Sequence, residues 1–598
     1  MPVSEESYDV AIVGGGPAGS TAATLLKKYA PELRVLVLEK EVFPRDHIGE
    51  SMLLPISLIL DEMEVWDAVE AADFPIKIGA SYTWGRNSDR WDINFYPIEK
   101  WRPQPRPAKF EGQRRSTAFQ VERCRYDKIL LDHAESRGAE VRQGTRVDEV
   151  LVRGDRIEGL KLSDRETATA QYYIDGSGTM ALFRRALGIG IDPNLELRNI
   201  AIWDYWRGAD WAVEVEGGAT RIQVRSLPYG WIWFIPIGSN RTSVGVVCPA
   251  EYYKEAGLNA EELYQKSLQR QPEVWKLLRP AKAEGRITTC RDWSHLADRV
   301  MGENWFLCGE AAGFADPILS AGMTLAHESG RDAAYTILEL RRGEHEPAWL
   351  RQRYEERQRG TIRQHIQFAQ YWYATNSCFT DLKEHCAGIA SDAGLHLAPD
   401  DAWDWLGRGG FATESNTIAM AGTFDPGSAK KLIELFTREK RRASWLIDGH
   451  NVFQLDLRGA KTERVGVLRQ GRIQAVPCYV RNGRRLPCAG NFAIMIEVLR
   501  QTSALAHMAA LIEKAVSRIS PHDKENADSI HAGLLQVLEV LVSDGWVERK
   551  IDTNYPTLRV PDMEHIRLSR ETDEVVRRAG RSSVVRSRID EPDHEPKS

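Results

Sequence analysis

The chain has 598 residues, more than one hydrophobic core usually serves, so we expect two or three domains. Hydrophobic residues make up 42% and charged residues 27%, as in ordinary soluble globular proteins. The net charge of −6 gives no sign of a general nucleic-acid surface, and no apolar run is long enough to span a bilayer. No signal peptide is present and the eight cysteines lack paired Cys-x-x-Cys spacing, so we predict a cytoplasmic protein without a metal site or disulfides.

A glycine-rich turn near the N-terminus stands between a short apolar run and an alanine-rich helix. A second predicted strand ends at Glu39, twenty residues after Gly19. Glycines in such a turn let the backbone approach a pyrophosphate at a helix N-terminus, and the carboxylate accepts from a ribose hydroxyl. The pattern predicts a dinucleotide site, and a glycine-rich turn without a ligand is the alternative. The predicted site contains Gly14, Gly16, Ala18, Gly19, Glu39 and Lys40.

Two tryptophans in the segment 230–236 are two residues apart, as neighbours on one face of a strand are. In a strand, Trp231 and Trp233 would form one flat aromatic wall with Ile232 and Phe234 packed behind it. Pro236 would end the pairing, because proline has no amide to donate. A half-buried strand with two large core residues is the alternative.

Further motifs follow the glycine-rich turn. They are Phe43-Pro44-Arg45 with Gly49-Glu50-Ser51, Gln120-Val121-Glu122-Arg123, Ile174-Asp175-Gly176, and Gly309-Glu310 continuing to Ser320-Ala321-Gly322. In this order they resemble the p-hydroxybenzoate-hydroxylase-like flavoprotein superfamily. With Trp-x-Trp-x-Ile-Pro among them, residues 8 to 375 are similar to the flavin-dependent halogenases. Because it has Asp292-Trp293-Ser294 and a long C-terminal extension, the chain resembles the branch acting in chloramphenicol biosynthesis.

The resemblance implies FAD as the cofactor. It assigns FAD contacts to Arg45, Gly49, Glu50, Ser51, Arg123, Asp175, Asp292, Gly309, Glu310, Pro317, Gly322 and Met323. Glu310 stands where aspartate is usual, and we interpret its longer carboxylate as a tolerated variation. Asp292 carries the further expectation of an ester bond to the flavin 8-methyl group, and a turn residue capping local amides is the alternative. For Arg45 and Arg123, ordinary surface charges are the alternative.

The resemblance also implies a reaction. Chloride or bromide is expected at the amides of Ala321 and Gly322, although related monooxygenases share such a turn and a plain helix start without an ion is the alternative. Reduced FAD from a separate NAD(P)H flavin reductase would react with O2 to a flavin hydroperoxide, which oxidises halide to hypohalous acid. Trp231 and Trp233 would separate substrate from flavin. Lys77, just before a strand, would hold the oxidant by a hydrogen bond or as a chloramine, and an ordinary solvated lysine is the alternative.

Leu319 bears on the substrate. Tryptophan-acting halogenases carry a carboxylate at the matching position, so its absence favours a phenolic, pyrrolic or carrier-protein-bound acyl substrate. Two other functions stay open, a flavin-dependent monooxygenase or flavin-linked reductase on the same fold, and a non-catalytic flavin-binding regulator. Halide dependence would separate the first from a halogenase, and specific DNA binding without catalysis would support the second.

We predict an α/β fold, with a Rossmann-like FAD-binding domain, an inserted substrate domain with a mixed or antiparallel sheet, and a mostly helical extension with a winged-helix-like end. Residues 1–375 would form the core, with the substrate sheet at about 75–120 and 195–285. Residues 376–490 would form a helical and β linker region, 491–568 the winged-helix-like domain, and 569–598 a disordered tail. Without a cluster of basic residues on its helix, the extension is not expected to bind nucleic acid. A lid or packing role is preferred.

Overall fold

A computed structural model describes residues 7–84, 89–192, 197–291, 293–374, 445–560 and 566–589. Its strands, β1 to β26 in chain order, are Ser7–Val13, Val35–Leu38, Ile76–Thr83, Arg90–Asn94, Ala118–Phe119, Glu140–Arg142, Val147–Arg153, Arg156–Leu162, Thr167–Asp175, Asn199–Arg207, Val213–Val215, Ala219–Leu227, Gly230–Gly238, Arg241–Pro249, Lys282–Ala283, Thr288–Arg291, His295–Leu296, Trp305–Leu307, Gly313–Phe314, Val452–Leu455, Lys461–Arg469, Arg472–Arg481, Arg484–Pro487, Val547–Lys550, Ile566–Leu568 and Val585–Ser587. Its helices, α1 to α14, are Pro17–Tyr29, Leu54–Glu62, Trp66–Ala71, Arg123–Ser136, Leu182–Ala186, Ala250–Glu255, Ala260–Gln269, Pro272–Leu278, Gly322–Arg342, Pro347–Ala374, Gly490–Gln501, Leu505–Ile519, Lys524–Ser543 and Ser569–Arg578.

The first sheet has seven strands in the order β6-β2-β1-β9-β8-β7, and β18 also pairs with β9. The strands β6, β2, β1, β9 and β18 run parallel, which is the arrangement of a Rossmann-like domain. Helices α1 and α9 cross where Gly330 meets Ala18, and a Cβ on Gly330 would stand 2.2 Å from the Ala18 carbonyl oxygen. The predicted mixed α/β fold with a parallel sheet is therefore confirmed.

The second sheet has twelve strands, with the main order β15-β10-β14-β13-β12-β3-β4-β25. Strands β12 and β3 run parallel and the other neighbours on this path are antiparallel, so the sheet is mixed. Trp231 and Trp233 pack into the core shared with the first sheet, whereas Ile232 and Phe234 pack into a separate cluster on the other face. The predicted alternation of this segment is therefore confirmed.

Residues 445–560 form a further packed unit. Helices α11, α12 and α13 enclose an apolar cluster, and β20 pairs with β24 beside them. The hairpin of β21 and β22 turns at Gln470 and Gly471, both with positive φ. It docks on α9, where the amide of Ile473 donates to Glu339 Oε1 at 3.1 Å. The winged-helix assignment of this unit stays a prediction.

The prediction of a disordered tail from residue 569 is wrong for residues 569–589. Strand β25 pairs with β4, α14 follows, and β26 pairs with β11, so the C-terminal segment adds two strands to the second sheet. Arg588 Nη1 lies 2.6 Å from Asp210 Oδ1, and Ser569 Oγ donates to Asp92 Oδ1 at 3.1 Å. The arginine-rich composition suggested disorder, but exposed strand edges and carboxylates elsewhere in the chain supply partners. Residues 590–598 lie outside the described part.

Two further observations concern the whole described structure. Among the described residues, no helix combines the length and apolar character needed to cross a membrane. The six cysteines that the structure describes are free thiols, and these are Cys124, Cys248, Cys290, Cys308, Cys478 and Cys488.

Candidate active site

The glycine-rich turn connects β1 to α1 in the way the sequence predicts. Gly14 has a φ of 100°, and a Cβ there would stand 2.3 Å from the carbonyl oxygen of Gly176. A Cβ on Gly19 would stand 1.9 Å from the carbonyl oxygen of Gly14, so no side chain fits at either position. The N-cap residue Gly16 supplies no side-chain hydrogen bond, so the first amides of α1 are open to an anionic group.

Glu39 lies beside this turn. Its Oε2 accepts from the amide of Gly15 at 2.7 Å and its Oε1 from the amide of Glu41 at 3.0 Å, so the carboxylate holds a fixed orientation at the end of β2. Lys40 is exposed, with Nζ 3.8 Å from Glu41 Oε1. Among the described residues, Lys40 therefore makes no ion pair with the glycine-rich turn.

Arg123 holds the predicted flavin loop, residues 45–51, against α4. Its guanidinium donates to Asp127 Oδ1 at 2.7 Å and to the carbonyl oxygens of Ile48 at 2.8 Å and Gly49 at 3.1 Å. Arg45 Nη1 lies 3.4 Å from Asp127 Oδ2, so both arginines share this buried carboxylate. Neither is a free surface charge.

Four polar side chains beside this loop have buried atoms without a hydrogen-bond partner in the described structure. They are Arg45 Nη1, Glu50 Oε1, Ser51 Oγ and both ends of the Gln120 amide. Ser51 and Gln120 form a β-bridge, so the unpaired atoms lie close together. A buried polar group without a partner costs about 1–3 kcal/mol, and a planar ligand with donors and acceptors would remove that cost. These residues fit FAD.

Gln120 was not singled out as a site residue from the sequence, although a glutamine within the apolar run Ala118 to Val121 is a usable signal. Burial raises the pKa of Glu50 to about 7, while the nearby Tyr205 and Ser243 act in the opposite direction. Glu50 can therefore hold or release a proton near neutral pH beside the predicted flavin site.

The two later carboxylates of the flavin motifs differ in their surroundings. Asp175 is fully engaged, since Oδ1 accepts from the amide of Ser177 at 3.0 Å and Oδ2 from that of Phe183 at 2.8 Å. The Glu310 carboxylate accepts no hydrogen bond from a described residue and faces Gly178, where a Cβ would stand 3.7 Å from Oε2. Burial raises the pKa of Glu310, and Arg123 opposes that shift. Glu310 is thus open to a ligand hydroxyl, whereas Asp175 shapes the loop.

Trp231 and Trp233 lie on the same face of β13, but they do not form a flat wall. Their ring centroids are 5.9 Å apart and their planes are inclined by 52°, which corrects that expectation. The Trp233 ring lies over Gly245 of β14, where a Cβ would stand 2.2 Å from its Cζ2 atom. Trp233 Nε1 donates to Ser243 Oγ at 3.1 Å and Trp231 Nε1 to Tyr373 Oη at 2.9 Å.

The expectation that Pro236 ends the pairing is also wrong. Strand β13 continues to Gly238, with Pro236 opposite Thr242 and a shift of register beyond it. A register irregularity next to the proline is where a missing amide donor is tolerated.

A β-bulge positions Lys77. Lys77 pairs with Thr220 of β12 and Ala80 pairs with Ile222, so β3 has one extra residue in this interval. Gly79 has a φ of 152°, and a Cβ there would stand 1.9 Å from a carbonyl oxygen of β4. Because side chains alternate along a strand, the extra residue puts Lys77 on the same face as Ala80. Without it, Lys77 would point to the opposite face.

That face is the one that carries the two tryptophans. Thr220 and Val224 of β12 have the same parity, and Val224 pairs with Trp233. Lys77 and Trp233 are thus two strands apart and four residues apart along β12. Standard strand dimensions make their backbone separation on the order of 15 Å. The tertiary structure therefore brings Lys77 and the aromatic pair to one surface without direct contact.

Lys77 is buried, with 1% of its surface exposed, so it is not an ordinary solvated lysine. Within the described residues its amine makes no hydrogen bond or ion pair, and Nζ lies 5.4 Å from the ring centroid of Phe95. Burial lowers the pKa of Lys77 to about 7. A large fraction of neutral amine, which is a nucleophile, is therefore present at neutral pH.

The predicted halide turn opens helix α9. Ser320 adopts a left-handed conformation with a φ of 57°, and the N-cap residue Ala321 supplies no side-chain hydrogen bond to the first turn. A Cβ on Gly322 would stand 2.6 Å from Phe314 Cε2, so only glycine fits there. Met323 is buried, and Pro317 begins the preceding 3₁₀ turn, Pro317–Leu319. The first amides of a 21-residue helix are thus open to an anion.

Two expectations fall on parts that the structure does not describe. Asp292 and the side chain of Leu319 both lie outside the described residues. The ester bond and the absent carboxylate therefore stay sequence-based predictions.

The amino-acid sequence was compared with those of known protein families and proteins. The family described as Tryptophan halogenase matches residues 9–104 and 97–381. A tryptophan 2-halogenase of Chondromyces crocatus is 35% identical over 56% of this chain and 62% of its own length. The 1H-pyrrole-2-carbonyl-[peptidyl-carrier protein] chlorinase of Pseudomonas fluorescens is 32% identical over 63% of this chain and 86% of its own length.

A solved structure extends the likeness in fold. The flavin-dependent halogenase CmlS aligns with 93% of this chain and 98% of its own, with a TM-score of 0.64 and 23% identity. Because it covers 93% of this chain, the alignment includes most of the C-terminal extension. The named relatives act on different substrates, so membership alone does not select one. On the sequence match to the core, the chain belongs to the tryptophan halogenase family, whose members are flavin-dependent halogenases and oxidoreductases.

Proposed function

We propose that this chain is an FADH2-dependent halogenase that makes hypohalous acid from O2 and halide and delivers it through Lys77 to a nucleophilic carbon. The observation that carries the proposal is the buried amine of Lys77, which forms no hydrogen bond or ion pair in the described part of the chain and lies on the sheet face of Trp231 and Trp233. A buried amine without a partner is costly to stability, which favours a chemical role.

FAD would lie along the glycine-rich turn, with Arg45, Glu50, Ser51 and Gln120 beside it. When bound in reduced form, it supplies the activation of O2 and the two-electron oxidation of the halide. The amides of Ala321 and Gly322 would hold the halide through the positive end of α9. Glu50, with its pKa raised to about 7, would supply or accept a proton beside the flavin.

Trp231 and Trp233 would separate the flavin from the substrate. Both rings are buried, and their indole nitrogens are engaged by Tyr373 and Ser243, so the rings have fixed orientations. A fixed apolar barrier excludes substrate and bulk water from the oxidation step. The oxidant would therefore reach the substrate only at Lys77.

Lys77 would hold the oxidant next to the substrate. With a pKa of about 7, it can attack the halogen of hypohalous acid as the neutral amine, forming an N–X bond and releasing water. In its protonated form it can instead donate a hydrogen bond to hypohalous acid. Either way, a nucleophilic carbon of the substrate takes the halogen and loses a proton.

The proposed substrate class rests on Leu319, because the names of the two relatives are divided between tryptophan and a carrier-bound pyrrole. We propose a phenolic, pyrrolic or carrier-protein-bound acyl substrate, supported by the carrier-bound pyrrole in the name of one relative. The C-terminal extension, including its winged-helix-like unit, would cover the substrate cavity or dock the carrier protein. A separate NAD(P)H flavin reductase would supply reduced FAD.

The test supplies enzymatically reduced FAD, O2 and chloride, and measures chlorination of a small hypochlorous-acid trap. We expect chlorinated trap from the native protein. Lys77→Met should still chlorinate the trap but not a substrate held in the site. Flavin turnover that is independent of halide would contradict the proposal and favour a monooxygenase or a flavin-linked reductase.

A further inference from the structure

Asp316 is a buried carboxylate with four hydrogen-bond donors. Its Oδ1 accepts from the amide of Ile318 at 2.9 Å and from Tyr373 Oη at 2.9 Å. Its Oδ2 accepts from Trp293 Nε1 at 3.2 Å and from Asn199 Nδ2 at 3.5 Å. No cationic side chain of the described residues forms an ion pair with it. Burial raises the pKa of Asp316 to about 6, and the four donors oppose that shift by stabilising the charged form.

The four donors belong to separate parts of the fold. Ile318 lies in the 3₁₀ turn that leads into the halide turn, Asn199 begins β10, and Trp293 lies between β16 and β17. Tyr373 lies at the end of α10. Asp316 therefore connects the halide turn to three elements that do not adjoin it in sequence.

The Tyr373 hydroxyl extends this connection to the aromatic pair. It accepts from Trp231 Nε1 at 2.9 Å while it donates to Asp316 Oδ1 at 2.9 Å. Two consecutive hydrogen bonds thus join the indole of Trp231 to the carboxylate that caps the turn before α9. Hydrogen bonds in such a chain polarise and strengthen one another inside a protein.

The hydrogen-bonded chain from Trp231 through Tyr373 to Asp316 has a geometric consequence at each of its two ends. The Trp231 ring is inclined by 52° to the Trp233 ring, so the two rings are not stacked face to face, and the indole of Trp231 donates its hydrogen bond to Tyr373. At the other end, Ser320 is left-handed and Ala321 lacks a side-chain cap, so the direction of the α9 amides depends on the turn that Asp316 holds.

We infer that Asp316 and Tyr373 are positioning residues for halogenation, which set the angle of Trp231 and the direction of the halide-binding amides through one hydrogen-bonded chain. This inference rests on the proposed function of the turn and of the aromatic pair. Neither residue was assigned a role from the sequence. Breaking this hydrogen-bonded chain should weaken halide binding and let oxidant escape, because the halide-binding amides and the Trp231 ring are both positioned by the Asp316 carboxylate.

The test uses Tyr373→Phe, which removes one hydroxyl and leaves the ring, and Asp316→Asn, which replaces one acceptor oxygen by an NH2 group. Tyr264→Phe is the matched control. Its hydroxyl also accepts from an indole, Trp206 Nε1 at 2.9 Å, and donates to the Val244 carbonyl oxygen at 3.0 Å, on the other face of the same sheet. All variants are studied as full-length protein loaded with oxidised FAD.

Two measurements are made, a chloride titration followed by flavin absorbance, and the ratio of hydrogen peroxide to chlorinated product under turnover. For Tyr373→Phe we expect chloride binding to weaken about fivefold and the peroxide ratio to rise, as for the loss of one hydrogen bond. Asp316→Asn should lose more, because its NH2 group faces two former donors. FAD affinity and the control variant should stay unchanged.

Unchanged chloride binding and peroxide ratio in Tyr373→Phe would overturn the inference. So would equal changes in Tyr264→Phe, because they would indicate a general effect of losing a buried hydroxyl. The chloride titration needs no turnover. A native protein that binds chloride but does not chlorinate would therefore contradict the proposed function, while a weakened titration in Tyr373→Phe would still support the inference.

Discussion

Replacing Lys77 by methionine should stabilise the fold while it abolishes substrate halogenation. The buried amine makes no hydrogen bond or ion pair with any described residue, and burial lowers its pKa from 10.5 to about 7. Each pKa unit corresponds to about 1.4 kcal/mol, so retaining Lys77 costs the folded state up to about 5 kcal/mol below pH 7. Methionine has a similar length and no charge to desolvate.

The sign of the pH dependence follows from proton linkage. Between pH 7 and pH 10.5 the unfolded state binds the Lys77 proton and the folded state does not, so the stability of the native protein rises with pH in this interval. The advantage of Lys77→Met should therefore be largest at or below pH 7. It should fall to about 3 kcal/mol at pH 8 and vanish near pH 10.5.

The assay is urea unfolding of both proteins at pH 6.5, 8 and 9.5, followed by tryptophan fluorescence. Lys77→Arg is the matched control, since it retains a charge that cannot be neutralised and should destabilise the fold. Equal stability of the native protein and Lys77→Met at pH 6.5 would refute the reasoning, because it would mean that the amine is solvated. Normal substrate halogenation by Lys77→Met would remove Lys77 from the mechanism.

Four other results are expected. If Lys77 acts as a chloramine, the rate of halogen transfer should rise with pH through about 7, because the amine loses its proton there. A rate that falls over the same interval would indicate the hydrogen-bonding ammonium. Single-turnover rates at a fixed oxidant concentration distinguish the two forms. Gly79→Ala should abolish halogenation and lower the unfolding midpoint, because its Cβ would stand 1.9 Å from a backbone oxygen, whereas Gly238→Ala, with no atom within 4 Å, should be tolerated. Deleting residues 566–598 should lower the unfolding midpoint, because two strands of the second sheet are lost; an unchanged midpoint would show that this segment is dispensable. Acid denaturation followed by mass measurement should show a flavin adduct that is absent in Asp292→Asn, and a mass equal to the polypeptide alone would exclude a stable bond.

Several features could be predicted from the sequence because they depend on local backbone geometry. The turn from Gly14 to Gly19 needs glycine where other backbone atoms leave no room for a Cβ. The structure shows this at Gly14, next to the Gly176 carbonyl oxygen, and at Gly19, next to the Gly14 carbonyl oxygen. The alternation of Trp231 and Trp233 with apolar neighbours predicts a strand with two buried faces, which is what forms. The positive-φ turn at Gln470 and Gly471 is of the same kind.

The side of the sheet that Lys77 faces was decided only by the tertiary structure. Strict alternation along β3 would place Lys77 on the face opposite to Ala80. The extra residue near Gly79 reverses this, and it can be recognised only from the pairing of β3 with β12. The sequence indicated Lys77 through a resemblance, but the burial that lowers the pKa of its amine comes from the surrounding strands.

Long-range pairing also decided the C-terminal segment and the chain from Asp316 to Trp231. The segment from residue 566 is ordered because the edges of β4 and β11, which are hundreds of residues earlier in the chain, accept its strands. Asp316 and Tyr373 are 57 residues apart, and no local pattern joins them to Trp231. Motifs whose geometry is complete within one turn or strand could therefore be predicted from the sequence. Contacts whose partner lies on another element could not, because only folding brings those groups within hydrogen-bond distance.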